Sequence, residues 1–460
     1  MVNVYSYFNS TNLDLNIKRV SAVFFVLGVL FGFFDTDVYL AENNFFITLG
    51  YFQPITTTNV FKYFFFFFFL FLGSLAFLKR RPKLIIIFVL IFFIFFYLVA
   101  VSRMLLDGYG ISSIFDTEVR HLAILFCVSF LFIVSDRPKW LNSIISFIYG
   151  FVVMTVIRAI ITLISYFFGN YAAFNFAGGV SSTIFDGVQL QCQLVSGIII
   201  FLLGMISWLK NNYKSAWLFF LISVVSFMTI IGSFRRSAIL ITVSVFIGGI
   251  IISYFLRRKI LVKFPKLMVG ITLFLLISSF SFIAFFGLNI AVNRFNSLTF
   301  NSSQEQLYVK SNAQYIDDWN AQFEVFKNTY GLGTGFNNSY ESYGVSLLSR
   351  EIFLSYDNEV PLHIGFYVVG TRMGILGYIL QFLLFILIPL YFLKRAYGKV
   401  TVIPSLIVGF CTMYLFFIGL FPLLGLSYID IKIAIFLGSC FGGLMYVDLY
   451  LRNIRHNYIR

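Results

Sequence analysis

The chain has 460 residues, of which 60% are hydrophobic and 11% are charged. These proportions exclude an ordinary soluble domain and are typical of a protein that crosses a membrane several times. The formal net charge is +14, but the sequence has no basic domain that could bind DNA or RNA. We therefore expect the lipid membrane as a partner and no nucleic acid.

Twelve apolar stretches are predicted to cross the roughly 30 Å hydrocarbon core as helices, which takes about 20 residues each. The sequence thus predicts an all-α polytopic membrane protein. The predicted spans are 20–35, 59–78, 84–101, 119–135, 141–168, 187–208, 215–232, 237–256, 267–288, 366–393, 400–420 and 432–451. Lys18 and Arg19 precede the first span and no small-residue cleavage site follows it, so we interpret this span as a retained signal anchor.

The distribution of lysine and arginine predicts that both termini are cytoplasmic, because basic residues are retained on the inner side of the membrane. With the N-terminus inside, the inner segments hold 21 of the 33 basic residues. These segments are 1–19, 79–83, 136–140, 209–214, 257–266, 394–399 and 452–460. The net positive charge is therefore interpreted as a signal of topology.

One connection is much longer than the others and divides the chain into three parts. Residues 1–288 hold the first nine predicted spans, 289–365 form a large periplasmic or extracellular loop, and 366–460 hold the last three spans with a short cytoplasmic tail. A loop of this length in a compact protein is usually functional.

The loop contains two patterns of its own. In "QYIDDWNAQFEVFKN" the apolar residues have helical spacing, and they are Ile316, Trp319, Phe323 and Phe326. Such a helix lies on the membrane, caps the bundle, or only holds the loop in place. In the following "YGLGTGF" the alternating Gly331, Gly333 and Gly335 favour a tight, irregular turn over a nucleotide-binding loop.

The cysteines and histidines do not form a metal-binding pattern. The four cysteines are Cys127, Cys192, Cys411 and Cys440, all inside predicted spans and without paired spacing, so we expect them to be small packing residues. The chain has three histidines and no HExxH motif. We expect neither a protein-bound metal nor another cofactor.

Arginine predominates among the twelve basic residues outside the inner segments, where eight are arginine. The planar guanidinium group suits bidentate phosphate binding, so an anionic ligand is expected at the outer face.

Arg158 lies within the apolar "GFVVMTVIRAIITLISYF", where a charge is costly and usually functional. The alternative is that its side chain extends to the lipid headgroups. Arg235 and Arg236 lie in the turn "GSFRRSA", and headgroup anchoring is the alternative for them as well. Arg372 lies between Gly370 and Gly374, which favours a close-packed or broken helix over an interfacial anchor.

Three stretches together resemble the bacterial O-antigen polymerases and O-antigen ligases. "GSFRRSAIL" is similar to an arginine-containing turn of that family, with Arg236 followed four residues later by Leu240. "DDWNAQFEVFKNTYGLGTGF" is similar to its outer-loop stretch. "HIGFYVVGTRMGILG" resembles its histidine followed by Gly-x-x-Gly at the start of a span, and His363, Gly374 and Gly377 match.

The chain also departs from that family at two places. The family usually has asparagine after the histidine, where this chain has Ile364. Many members carry an arginine shortly before the span that begins here at 187, whereas "GGVSSTIFDGVQLQ" has none. Arg158 or Arg372 is then expected to supply the second phosphate contact.

The resemblance implies a membrane glycosyltransferase with the C-type fold in the bacterial inner (cytoplasmic) membrane. Such an enzyme acts, at the periplasmic or outer face and without metal, on a glycan linked to undecaprenol through a diphosphate. Arg236 would stabilise the charge that develops on the leaving diphosphate. The further diphosphate-binding candidates are Arg235, Arg372 and Arg158.

An acceptor hydroxyl that attacks the donor must lose its proton, which calls for a general base. His363 is the candidate implied by the resemblance. Glu359, four residues earlier, is the local alternative because residues at this spacing share a helical face.

We interpret the chain as a repeat-unit polymerase, in which a lipid-linked oligosaccharide is both donor and acceptor. The Phe-rich composition and the altered histidine motif resemble polymerases more than ligases. An O-antigen ligase, which transfers glycan to lipid A core, is one alternative. A lipid-linked oligosaccharide flippase or exporter is a non-enzymatic alternative, although transporters tend to show internal repeats and charges near the midplane. Whether a chain-length regulator binds is left open by the sequence.

Overall fold

The structure is a computed structural model that describes residues 15–33, 138–167, 187–232, 236–256, 326–333, 365–420 and 431–459, with 323–324 and parts of 64–73, 91–106 and 269–281. These residues are helical apart from short turns, and no strand occurs among them. The helices, in chain order, are α1 (Leu15–Phe33), α2 (Pro138–Phe167), α3 (Gly187–Leu209), α4 (Tyr213–Gly232), α5 (Arg236–Phe255), α6 (Gly365–Phe382), α7 (Ile388–Ala396), α8 (Val402–Leu420) and α9 (Ile431–Ile459); a π-helical turn, Leu383–Leu387, joins α6 to α7.

Among the residues that the structure describes, four segments are long and apolar enough to cross a membrane. They are Asn142–Ile161, Leu190–Leu209, Tyr213–Ile230 and Gly374–Ala396. The part of the chain that the structure describes therefore agrees with the predicted all-helical membrane fold. The predicted span 119–135 lies outside that part, and the count of twelve spans and the side of the termini stay predictions. The first helix begins at Leu15, earlier than the predicted 20, because it continues through its polar N-terminal residues.

Glycine sets the closest helix contacts. A Cβ atom on Gly28 would collide with the carbonyl oxygen of Phe147, and one on Gly150 with that of Phe25, so the backbones of α1 and α2 touch. Gly409 of α8 meets the backbone of α5 in the same way. Inside a bilayer, where lipid is as apolar as leucine, such close backbone packing is a main source of helix association.

Phenylalanine fills the space between the helices that lie farther apart. The ring of Phe201 is fully buried, and its centroid lies 4.6 Å from that of Phe246 and 4.8 Å from that of Phe274. Aromatic pairs at these distances add to the stability that burial provides. The high phenylalanine content thus has a packing role in the core of the bundle.

The basic side chains that the structure describes as exposed on these helices, and on the turns between them, mark one end of the bundle, which we call the basic end. They are Arg19, Lys210, Lys214, Lys394 and Lys399. At the same end Arg395 donates from Nε to the carboxylate of the buried Asp448 at 2.8 Å, which ties α7 to α9. This one-sided distribution is what the predicted inner segments require.

Helix α6 is broken at Gly374. Its φ of 65° and ψ of −151° belong to a region that essentially only glycine adopts. The break confirms the broken helix expected around Arg372. The π-helical turn at Leu383–Leu387 is a second irregularity of the same segment, and such turns often accompany function.

A turn of the large loop, residues 329–333, docks onto the break. The amide N–H of Ile375 donates to the carbonyl oxygen of Gly331 at 2.9 Å. Tyr330, Gly331 and Gly333 all have positive φ, at 53°, 74° and 79°. The irregular turn expected at the glycines is therefore confirmed for Gly331 and Gly333, whereas Gly335 lies outside the described residues.

The short helix before this turn holds the loop against α6. The ring of Phe326 lies 6.0 Å from that of Tyr378, measured between centroids, whereas Phe323 is exposed. Of the roles open to the expected amphipathic helix, this contact favours that of holding the loop. Ile316 and Trp319, which would extend the apolar face, lie outside the described residues.

We expect Gly28→Ala to destabilise the protein by about 1–3 kcal/mol, because the added methyl group must push α1 and α2 apart. The measurement is the thermal stability of the detergent-solubilised chain by size-exclusion chromatography after heating. Gly443→Ala is the matched control, because a Cβ there would meet its nearest neighbour, Cys411 Sγ, at an ordinary 3.7 Å. Equal stability of the two variants would contradict the close backbone contact.

We expect Gly374→Ala to release the loop turn, because alanine is strained at this φ by about 1–3 kcal/mol and its methyl group would collide with the Gly331 carbonyl. Limited trypsin digestion measures the release, since the exposed Lys327 precedes the turn. Cleavage after Lys327 should be faster than in the unchanged chain and in Gly443→Ala. If all three chains are cut at one rate, the turn does not depend on the break.

Candidate functional site

Three of the arginines predicted to bind phosphate lie toward the end of the bundle opposite the basic end. Arg236 is the first residue of α5, and Arg372 lies two residues before the break in α6. Arg158 lies nine residues before the end of α2. The structure describes only the backbone of Arg236 and Arg372. Arg235, His363 and Glu359 lie outside the described residues, so their roles stay predictions.

Arg158 is the one predicted site residue whose side chain is described. It is only 6% exposed, so it faces the inside of the bundle. This burial argues against the alternative that the side chain extends along the lipid surface to the headgroups. A guanidinium group inside a membrane bundle is expensive, and such residues usually face an interior site.

Buried uncharged polar residues lie around Arg158, across four helices. We call this group, with Arg158, the polar layer; its other members are Thr155 on α2, Gln191, Gln193 and Ser196 on α3, Ser226 and Thr229 on α4, and Thr412 and Tyr414 on α8. All of them are buried. Hydroxyl and carboxamide groups therefore replace hydrocarbon in one band of the bundle.

Hydrogen bonds between helices show where the members of the layer on α2, α3 and α4 lie along the bundle axis. Gln193 donates from Nε2 to the carbonyl oxygen of Thr155 at 2.9 Å. Because α2 and α3 run in opposite directions and a helix rises 1.5 Å per residue, Arg158 lies level with Gln191 to within about 2 Å. The Ser223 hydroxyl donates to the carbonyl oxygen of Gly197 at 2.8 Å, which aligns α4 with α3.

Helix α8 also contributes residues to the layer. The rings of Phe201 and Phe410 lie 6.1 Å apart, measured between centroids. Tyr414 is one helical turn farther from the basic end, and Thr412 lies between these two levels. At a rise of 1.5 Å per residue, these two α8 residues lie about 10 Å along the bundle axis from Gln191, closer to the level of Ser196. Helices α2, α3, α4 and α8 thus contribute to one polar band of about that height.

Several polar atoms of the layer have no hydrogen-bond partner in the structure. They are both amide atoms of Gln191, Oε1 of Gln193, and the hydroxyl oxygens of Ser196, Ser226, Thr412 and Tyr414. Each buried, unpaired polar group costs about 1–3 kcal/mol. Most buried polar groups in proteins are paired, so a cluster of exceptions requires an explanation.

The sequence interpretation identified Arg158 but missed the rest of the layer. A signal was present: "VQLQCQLVSG" carries Gln189, Gln191 and Gln193 inside a predicted span. Carboxamides in an apolar helix are recognisable from sequence. Helices α4 and α8 contribute single serine, threonine and tyrosine residues, which are common in membrane helices. Only the packing of the helices shows that they belong to one group.

The cysteines agree with their predicted packing role where the structure describes them. Cys192, Cys411 and Cys440, the three cysteines that the structure describes, form no disulfide with one another and pack in the hydrophobic core. Cys411 lies on α8 and Cys440 on α9. Cys127 lies outside the described residues.

In comparisons with known proteins, the chain matches no protein-family model, no curated protein sequence and no solved structure. The resemblance to O-antigen polymerases and ligases therefore depends on the three short stretches alone.

Proposed function

We propose that this protein is a membrane glycosyltransferase that polymerises oligosaccharide repeat units carried on undecaprenyl diphosphate. The observation that carries the proposal is the burial of Arg158 within the polar layer, in the half of the bundle away from the basic end. If the basic end is cytoplasmic, as the lysine and arginine distribution predicts, this half faces the periplasm or the outside.

The chemistry gives a buried arginine a specific role. When the bond between the anomeric carbon and the diphosphate breaks, negative charge develops on the leaving group. A guanidinium group already in place stabilises that charge without reorganisation, and the low dielectric of the interior strengthens the interaction. Arg158 and Arg236 are proposed to bind the diphosphate, with Arg235 as a neighbour.

The break in α6 supports a substrate site near Arg372. Non-helical backbone at membrane depth is tolerated where it is buried in protein or lines a polar cavity. Arg372 lies two residues before Gly374, and the turn of the large loop docks onto the same point through Gly331. A loop that covers the break would exclude water from the transfer reaction.

The acceptor side of the reaction needs a general base. In the sequence, His363 precedes the first residue of α6 by two positions, and both His363 and Arg372 come before Gly374. It is proposed to accept the proton of the attacking sugar hydroxyl, with Glu359 as the alternative. The acceptor would be the non-reducing end of another lipid-linked repeat unit, so donor and acceptor would both be carried on undecaprenyl diphosphate.

A reconstituted assay tests the function. The full chain in liposomes receives a synthetic undecaprenyl-diphosphate repeat unit with EDTA present, and the products are resolved by size. We expect a ladder of lengths. Glycan that moves only onto added lipid A core would show the ligase instead, and a lipid-linked unit that crosses the bilayer without transfer would show a flippase or exporter.

Variants test the residues separately from the fold. Arg236→Ala and His363→Ala should abolish the ladder, and Arg158→Lys should lower the rate on the order of 10²-fold, because lysine keeps the charge but loses the bidentate geometry. Lys214→Ala, at an exposed residue of the basic end, is the matched control and should be unchanged. A full rate for Arg158→Lys and Arg236→Ala would contradict diphosphate binding by these residues.

A further inference from the structure

We propose that the polar layer is the binding site for the sugar next to the diphosphate, and that the structure shows this site closed. The proposal rests on the proposed function, since it assigns a part of the same substrate. It concerns Gln191, Gln193 and Tyr414, none of which was among the site residues predicted from the sequence or from the resemblance. Gln191 is its central residue, because both polar atoms of a fully buried carboxamide are unpaired.

The chemical types in the layer favour a sugar over an ion. Carboxamide and hydroxyl groups both donate and accept hydrogen bonds but cannot neutralise charge. Their complement is an uncharged group that is rich in donors and acceptors, such as a ring with hydroxyl or acetamido substituents. Arg158 is the one charged member of the layer as defined above, and it lies level with Gln191. A diphosphate at Arg158 would therefore have its attached sugar beside the carboxamide.

The unpaired atoms indicate that the layer has a second state. A polar group left without a partner in the interior destabilises the fold, whereas a leucine at the same position would not. Side chains that cost stability in one state are retained when another state uses them, as at many binding sites. In the second state α2, α3, α4 and α8 would separate enough for the substrate to supply the missing partners.

The depth of the layer suits a lipid-linked substrate. Gln191 is the fifth residue of α3, about 6 Å along the axis from its first residue. Helix α2 has 30 residues and is about 45 Å long, so it extends past a hydrocarbon core of roughly 30 Å. The end of the layer that holds Gln191 and Arg158 thus lies close to the level of lipid headgroups, where the diphosphate of the carrier is anchored.

The experiment measures stability and binding of the full chain in lipid nanodiscs. The probes are a synthetic polyprenyl diphosphate that bears one N-acetylhexosamine and the same polyprenyl diphosphate without a sugar. Gln191→Leu should raise Tm by a few degrees, because two unpaired atoms are removed. It should weaken binding of the sugar-bearing probe about tenfold or more, as expected for one or two lost hydrogen bonds, and leave the sugarless probe within about twofold.

Two further variants protect the test against misfolding and unspecific effects. Tyr414→Phe removes only an unpaired hydroxyl group and should weaken binding of the sugar-bearing probe without lowering Tm. Ser405→Ala is the control, because Ser405 is buried on α8 near the basic end and its hydroxyl donates to the carbonyl oxygen of Val402 at 2.7 Å. It should bind both probes as the unchanged chain does.

Two outcomes would overturn the proposal. If Gln191→Leu raises Tm but binds the sugar-bearing probe normally, the layer holds water or nothing. If the unchanged chain binds both probes equally, no sugar site exists there. Binding requires no turnover, so a chain that binds the sugar but makes no ladder would contradict the polymerase and leave the sugar site standing.

Discussion

The hydrogen bond from the Ile375 amide to the Gly331 carbonyl is the contact on which the site depends. A helix that breaks inside a membrane leaves backbone groups without partners, and lipid cannot supply them. Here the large loop supplies one. Gly374 permits the break through its positive φ, and the left-handed turn at Gly331 brings a carbonyl oxygen to the exposed amide. The loop and the broken helix therefore stabilise each other, and Arg372 lies beside their junction.

Elsewhere in the bundle, some contacts stabilise the fold and one group of polar residues destabilises it. Glycine contacts between α1 and α2 and between α5 and α8 allow backbones to touch, and the phenylalanine core around Phe201 fills the wider spaces. Against this well-packed background, the unpaired atoms of the polar layer lower stability. A bundle selected only for stability would replace Gln191 with an apolar residue. The combination of a rigid frame and a costly polar layer is typical of proteins that act on a substrate inside that frame.

Sequence reasoning recovered the features that local chemistry determines. Apolar length predicted the helices, and alternating glycines predicted the turn at Gly331 and Gly333. Glycine on both sides of Arg372 predicted the break. The polar layer could not be derived in the same way, because it depends on the register of four helices, and no single helix reveals which serine or tyrosine of another helix belongs to the layer. The docking of the loop onto Gly374 could not be predicted from the sequence either, since each glycine motif predicts its own conformation but not the segment that it contacts.

A cross-link between loop and helix tests the central claim most directly. Phe326→Cys and Tyr378→Cys replace two rings whose centroids are 6.0 Å apart, in a chain whose four native cysteines are replaced by alanine. In lipid nanodiscs, a short bismaleimide should join the two cysteines in high yield, as detected by mass spectrometry after digestion. The pair Phe326→Cys and Tyr397→Cys, with Tyr397 at the basic end, should not react. Absence of the first cross-link, or equal yield from both pairs, would contradict the docking of the loop onto the broken helix.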